Sequence, residues 1–290
     1  METFQYLNEY YSNYQEDARL LSRAGQVEYL TTMRYIERYL RPGMRVLEVG
    51  AGTGRYSVAL AQRGIEVTAV ELLPHNLEIL KSKITPDMKL TALQGNALDL
   101  SFLPRAAFDM TLVLGPMYHL YSEPDKRAAL EQALSVTRTG GVIMVAYCIA
   151  EGTMIDYVFK GNHVKMVLEE KMMNPETFEL YSEPKDLFEL VRREDIDRLT
   201  YGLPVKRLHY LATDGAAGFM RETLEAMDEE DFRTFLRYHL AMCERPDLVG
   251  ATHHCLDVLQ KTKYAPRAAQ PRAPRARRVT CPGGRGLRIW

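Results

Sequence analysis

Between Val46 and Tyr56 the chain reads Val-Leu-Glu-Val-Gly-Ala-Gly-Thr-Gly-Arg-Tyr, an apolar run that meets glycine at positions 50, 52 and 54. No other feature restricts the fold as much. The apolar run fits a buried strand, and Tyr56-Ser57-Val58-Ala59-Leu60-Ala61 continues as a helix. Strand, tight turn and helix in that order form the first unit of an α/β sheet that binds a nucleotide. Glycine suits the turn because positive φ costs it little and because a ligand must approach bare backbone. A dinucleotide fingerprint, G-x-G-x-x-G, requires glycine at position 55, where Arg55 stands. The pattern is instead E-x-G-x-G-x-G, from Glu48 to Gly54.

With an acid at its head, this segment resembles motif I of the class I S-adenosylmethionine-dependent methyltransferases. The following segments continue the resemblance. Ile65–Val70 reads as a second strand leading to Glu71, 17 residues after Gly54. An acid at that distance is placed to accept from two ribose hydroxyls. A third strand over 89–93 runs into Gln94-Gly95-Asn96-Ala97. The family often has G-D-A there, the acid accepting from the adenine amino group. Asn96 can accept without the charge, and Asp99 is either a second candidate or the cap of the next turn.

Strand four, 108–114, leads into Gly115-Pro116-Met117-Tyr118-His119-Leu120, and strand five is expected over 142–148. Helices between successive strands (55–63, 72–81 and 125–137) imply a parallel, doubly wound sheet. Further on, 151–185 reads as helices with one hairpin strand, 183–198 as a helix and 205–212 as strand six. Helices at 215–227 and 229–243 precede a last strand at 251–259. Inserted antiparallel, that strand would complete the family's seven-stranded, Rossmann-like sheet. The expected organisation is a helical lid over 1–40, a cofactor-binding core over 41–150, a cap insertion over 151–190, completion of the sheet over 191–263 and a disordered basic tail over 264–290.

The resemblance implies S-adenosylmethionine as cofactor, S-adenosylhomocysteine as product and no metal. Gly50, Gly52 and Gly54 would lie under its amino-acid moiety, Glu71 at the ribose, Asn96 and Ala97 at the adenine, and Leu114 along the methyl side. Glu48, Ala51 and Leu72 complete the cofactor set. Tyr11 and Tyr14, in an aromatic N-terminal segment, would join Pro116 and Met117 around the acceptor; the alternative is tyrosines packing one sheet edge. The exit of strand four lacks the N-P-P-Y motif of amide and adenine N-methyltransferases and resembles the G-P-x-Y-H-L segment of bacterial small-molecule enzymes. His119 is there either a base for the acceptor or a histidine bonded beneath the lid. Tyr118 lines the pocket or starts the helix. In a strand, His253 and His254 would point to opposite faces and could not chelate one ion together.

Charge narrows the partners. Seven of the 37 basic residues are arginines beyond Tyr264; without them 30 face 38 acids over residues 1–263, a net charge of −8. So acidic a body is a poor polyanion binder, which disfavours a nucleic-acid substrate. Cys148, Cys243, Cys255 and Cys281 form no C-x-x-C pair, and the first three read as buried thiols. No apolar run suits a membrane span and no signal-peptide core is evident, so a cytoplasmic enzyme is expected. The expected reaction is methyl transfer to O, N or S of a small-molecule acceptor, with no membrane partner and with monomer and dimer both open. The rivals are a nucleic-acid or protein methyltransferase, a nicotinamide oxidoreductase and a non-catalytic cofactor-binding regulator.

Overall fold

The computed structural model describes residues 2–13 and 20–265; Tyr14, Cys281 and the expected tail from 266 onward lie outside them. Two helices open the chain, α1 (Glu2–Asn13) and α2 (Arg23–Tyr39). Helix α2 starts at Ser22, whose hydroxyl accepts the Gly25 N–H at 3.1 Å, satisfying one of the donors a helix start leaves free. Strands β1 (Arg45–Val49), β2 (Glu66–Glu71), β3 (Leu90–Gln94) and β4 (Phe108–Val113) follow, with helices α3 (Arg55–Ala61) and α4 (Pro74–Ser82) between the first three. Helix α5 (Glu123–Val136) leads into β5 (Thr137–Ile149), and α6 (Ala150–Thr153) passes into a π-helical stretch, Met154–Lys160, before α7 (Val164–Glu169). The remainder is β6 (Leu190–Val191), α8 (Arg193–Thr200), β7 (Val205–Ala212), α9 (Arg221–Ala226), α10 (Glu229–Met242) and β8 (His254–Lys261).

The main path of the sheet runs β3-β2-β1-β4-β5-β8-β7. Strands β1 to β5 pair in parallel, while β8 lies antiparallel between β5 and β7. Alternation along β5 shows why both faces need helices. Val142, Met144, Ala146 and Cys148 pack with α2, α3 and α4 on one face. Ile143, Val145, Tyr147 and Ile149 pack with α5 and α8 on the other. From β1 the chain steps outward to β2 and β3, then returns to place β4 on the other side of β1, so a crevice opens beyond the carboxyl ends of β1 and β4.

Two expectations are corrected. The sheet has eight strands, because β6 pairs in parallel with the end of β5, Leu190 beside Cys148 and Val191 beside Ile149. The expected helix over 183–198 is therefore broken. A short turn, Pro184–Asp186, ends at Leu187, whose φ of 68° reverses the chain. Val191 is then drawn into the core, and a helix resumes only at Arg193, where the Asp195 carboxylate accepts the Arg192 N–H at 2.7 Å. Cys148, Cys243 and Cys255 are buried and free. Among the described residues no helix is long and apolar enough to cross a membrane.

Candidate active site

At the crevice the chain turns three times at strand ends. After β1, the N–H groups of Gly50 and Ala51 both donate to the Val70 carbonyl, at 2.8 and 3.1 Å, which ties the glycine turn to the end of β2. Gly50, Gly52 and Gly54 all have positive φ, at 71°, 55° and 88°. Their surroundings separate their roles. A Cβ on Gly50 would lie 2.6 Å from Pro116, and one on Gly54 would lie 2.1 Å from Leu80. Those two glycines permit close packing. Gly52 would meet nothing within 4 Å, so its bare backbone faces open space.

Glu71 closes this floor. Its carboxylate accepts from Gly52 N–H at 2.7 Å and from Leu73 N–H at 2.9 Å, one bond to each oxygen. Burial pushes its carboxyl above the usual range, against the hydrogen bonds from Leu73, Gly52 and Asn76. Asn76 and the Leu72 N–H add bonds to the same carboxylate, which lines the cavity above. Glu48 lies deeper. Its carboxyl accepts from the Ser57 hydroxyl, and burial, opposed by that bond and aided by Glu71, raises it to about 8. At neutral pH it is therefore mostly protonated.

A cavity of about 640 Å³ stands over this floor. Glu48, Gly50, Ala51, Gly52, Glu71, Leu72, Asn96, Ala97, Leu114 and Pro116 line it, with Tyr11, Tyr118 and His119. Thr3, Phe4 and Leu7 of α1 also line it. Gly54 and Met117, both expected at the site, do not. Gly54 is turned against Leu80. Met117 is 1% exposed and packs with Val113 and Ile143, because the short turn Pro116–His119 sends it down into the sheet while its neighbours face up. The Asn96 amide oxygen accepts the Leu98 N–H at 3.0 Å, so the amide NH2 is its more available group. Asp99 caps the next turn through Ser101 N–H and does not reach the cavity.

Sequence reasoning overlooked Arg55 except as the residue that breaks a fingerprint. It lines the cavity, its guanidinium lies 4.7 Å over the Tyr29 ring, and its buried Nε has no hydrogen-bond partner. Its position in the first turn of the helix after the glycines was the available signal.

His119 is held on both sides. Its Nδ1 lies 2.7 Å from the Leu187 carbonyl, which can only accept, so Nδ1 carries the proton. Nε2 then accepts from the Tyr11 hydroxyl at 3.1 Å. Burial pushes the ring's pKa down to about 4, leaving it neutral at physiological pH. His119 thus joins α1 to the strand-four exit.

The two C-terminal histidines go to different acids. His253 Nε2 lies 3.3 Å from Asp156, and His254 Nδ1 lies 2.9 Å from Asp214. Glu28, Asp214 and His254 are the one set among the described residues whose ligand atoms, within 4.8 Å, could share a cation. Asp214 is already filled by hydrogen bonds from Thr252, His253 and His254, so the set reads as a proton-bearing pair with a second acid beside it.

Comparison with known proteins agrees with this geometry. Residues 46–141 match the family model described as a methyltransferase domain. A ubiquinone biosynthesis O-methyltransferase of Methylocella silvestris is 32% identical over 135 residues, 44% of this chain and 48% of that protein. An O-methyltransferase of Aspergillus nomiae is 31% identical over 108 residues, 36% of this chain and 46% of that protein. The chain thus spans about half the length of these curated relatives. In fold it is similar to an S-adenosylmethionine-dependent methyltransferase of Thermotoga maritima, with a TM-score of 0.55, 16% identity, and coverage of 90% of this chain and 100% of that one. It is also similar to geranyl diphosphate C-methyltransferase of Streptomyces coelicolor, solved with S-adenosylhomocysteine, with a TM-score of 0.52, 11% identity, and coverage of 81% and 79%.

Proposed function

We propose that this chain, whose residues 46–141 are a methyltransferase domain on a class I sheet, transfers a methyl group from S-adenosylmethionine to an oxygen of a small molecule. Nitrogen and sulfur acceptors are the alternatives. One observation carries the reading: the cavity floored by Gly52 and Glu71 adjoins a second cavity, with Tyr11 and Tyr118 bordering both. Two chambers with a common border suit a reaction between two bound molecules.

S-adenosylmethionine supplies an electrophilic methyl on a sulfonium sulfur, so the protein's task is to hold both partners in line. The residues present fit that cofactor. The open backbone at Gly52 admits a ligand, the Glu71 carboxylate at the cavity wall suits a ribose diol, and the unpartnered Arg55 Nε suits a carboxylate. Asn96, Ala97 and Leu98 offer an edge and an apolar surface for a base. Helix α1 acts as a lid over the cofactor and the segment 151–190 as a cap over the acceptor. His119, neutral and bonded at both nitrogens, serves to fix the lid through Tyr11.

The test is ligand stabilisation of the full chain. S-adenosylhomocysteine at a hundred times its dissociation constant should raise the unfolding free energy by about 2.7 kcal/mol, and Glu71→Ala should lose that gain. A gain from NADH alone would overturn the reading in favour of an oxidoreductase.

A further inference from the structure

The second cavity has a volume of about 740 Å³. Apolar and aromatic side chains, among them Tyr157, Val158, Met166, Met172, Phe188 and Leu190, line it together with the charged groups Asp156, Glu170, Asp186 and Arg221. His253 and His254 also border it. His253 Nε2 lies beside Asp156, which also accepts from Arg221 at 2.7 Å and from Lys160 at 3.0 Å, while its Nδ1 is buried without a hydrogen bond. His254 is arranged otherwise. Asp214 accepts from its Nδ1 at 2.9 Å, and from the backbone N–H of His253 and His254 at 3.1 and 3.2 Å, so neither ring nor carboxylate is free to turn. Nδ1 carries the proton in that bond. Nε2, on the side away from Asp214, has no partner among the described residues.

The charge on this ring is also set. Burial opposes it, but the Glu28 carboxylate 3.7 Å away, the nearby Cys148 thiol and the Asp214 bond outweigh burial and hold His254 well above the ordinary histidine range. Asp214 is held correspondingly low by His254 and Thr252, against its own burial. The Tyr118 ring, which borders both cavities, lies 5.7 Å from the His254 ring. A chamber next to the first cavity, lined largely by aromatic and apolar side chains, therefore presents a fixed, charged N–H.

We propose that this chamber holds the methyl acceptor and that His254, oriented by Asp214, receives the acceptor's hydroxyl as an oxygen anion, so that the acceptor is an aromatic compound with an acidic hydroxyl. On binding, the acceptor's O–H bond breaks, both electrons stay on oxygen, and the proton passes to solvent while Nε2 keeps its own. The proposal rests on the methyl-transfer reading, because the anion is the nucleophile which that reading requires. An amine acceptor would bring like charge to the same end, and an ether would leave the donor without its anion.

The probe is para-nitrophenol, whose ionised form is yellow, added to the full chain saturated with S-adenosylhomocysteine. The bound probe should ionise with a constant raised about ten- to a hundredfold over free probe, as a charge-assisted hydrogen bond provides. Its methyl ether, para-nitroanisole, should bind more weakly by a similar factor. His254→Gln should abolish the ionisation shift while S-adenosylhomocysteine still stabilises the variant. No probe binding, an unshifted spectrum, or a shift that survives His254→Gln would overturn the proposal. Should His254→Gln fail to fold, equal affinity of the wild-type chain for phenol and ether would overturn it and the expected difference would support it. Failure of the wild-type chain to bind S-adenosylhomocysteine would instead strike the methyltransferase reading itself.

Discussion

The two cavities touch, yet they are built in opposite ways. The first is set mainly by turns at successive strand ends, with α1 beside them: the turn after β1, the Glu71–Leu73 corner after β2, the Gly95–Leu98 turn after β3 and the exit of β4. The second is made of side chains that converge from α1, the end of β5, the cap, α9 and the start of β8. A chamber of turns on a parallel sheet is rigid, because each turn is fixed by the strand behind it. A chamber of side chains on a small cap is softer, since the cap's own core is little more than Met154, Val158, Val167 and Met173. A fixed site suits a cofactor shared by many reactions, and an adaptable one suits the partner that differs between them.

The largest effect should come from the glycine turn. Gly54→Ala combines a positive φ of 88° with a contact 2.1 Å from Leu80, and should cost about 3 kcal/mol of stability. Gly52→Ala, with φ of 55° and open space, should cost only about 1 kcal/mol but weaken S-adenosylhomocysteine binding. Urea unfolding with and without that ligand separates the two; equal costs would mean the turn is not fixed as described.

Next comes a pH effect confined to the first chamber. Glu48 is near 4.5 when exposed and near 8 when folded, so the unfolded chain releases its proton first. Its contribution to stability is then complete below about pH 4.5 and is lost as pH rises to about 8. Glu48→Gln keeps a neutral partner for Ser57 and should flatten the stability profile across that window, by a few kcal/mol between its ends. An unchanged profile would mean that Glu48 is ionised in the folded chain.

The second chamber should yield to changes the first ignores. Phe188 packs edge-on to Tyr10, with ring centroids 6.0 Å apart, and against the His119 ring at 5.5 Å. Phe188→Ala should cost about 2 kcal/mol and weaken para-nitrophenol, with S-adenosylhomocysteine affinity unchanged in calorimetry. Equal loss of both ligands would show that the chambers are not separable. The smallest effect is expected at their common wall, where Tyr11→Phe removes one hydrogen bond to His119 and should cost about 1 kcal/mol. Hydrogen exchange in α1 should rise; exchange in β1 and β4 should not.

The parallel core was legible because its signals are local. Each strand–helix unit announces itself by an apolar run, a turn residue and a helical period, and β7 begins and ends where expected. Glu71 could be found by counting from Gly54. The helix expected over 183–198 failed because its first half has no partner face for a helix, whereas Val191 gains a place beside β5 by going extended. Met117 misled because its neighbours Pro116 and Tyr118 do line the cavity, and a short tight turn separates adjacent side chains more sharply than spacing suggests.

The sequence by itself determined the doubly wound sheet, the glycine turn and the acid beside it, because these depend on φ angles, hydrophobic period and a fixed count of residues. Only the tertiary structure decided that Gly50 and Gly54 serve packing while Gly52 stays open, and that His119 is neutral and tied to Tyr11. It alone brought His254 to Asp214 and Glu28 at the edge of a second chamber. Those outcomes depend on atoms 26 to 226 residues apart in sequence, and on burial and neighbouring charge, which no local pattern encodes.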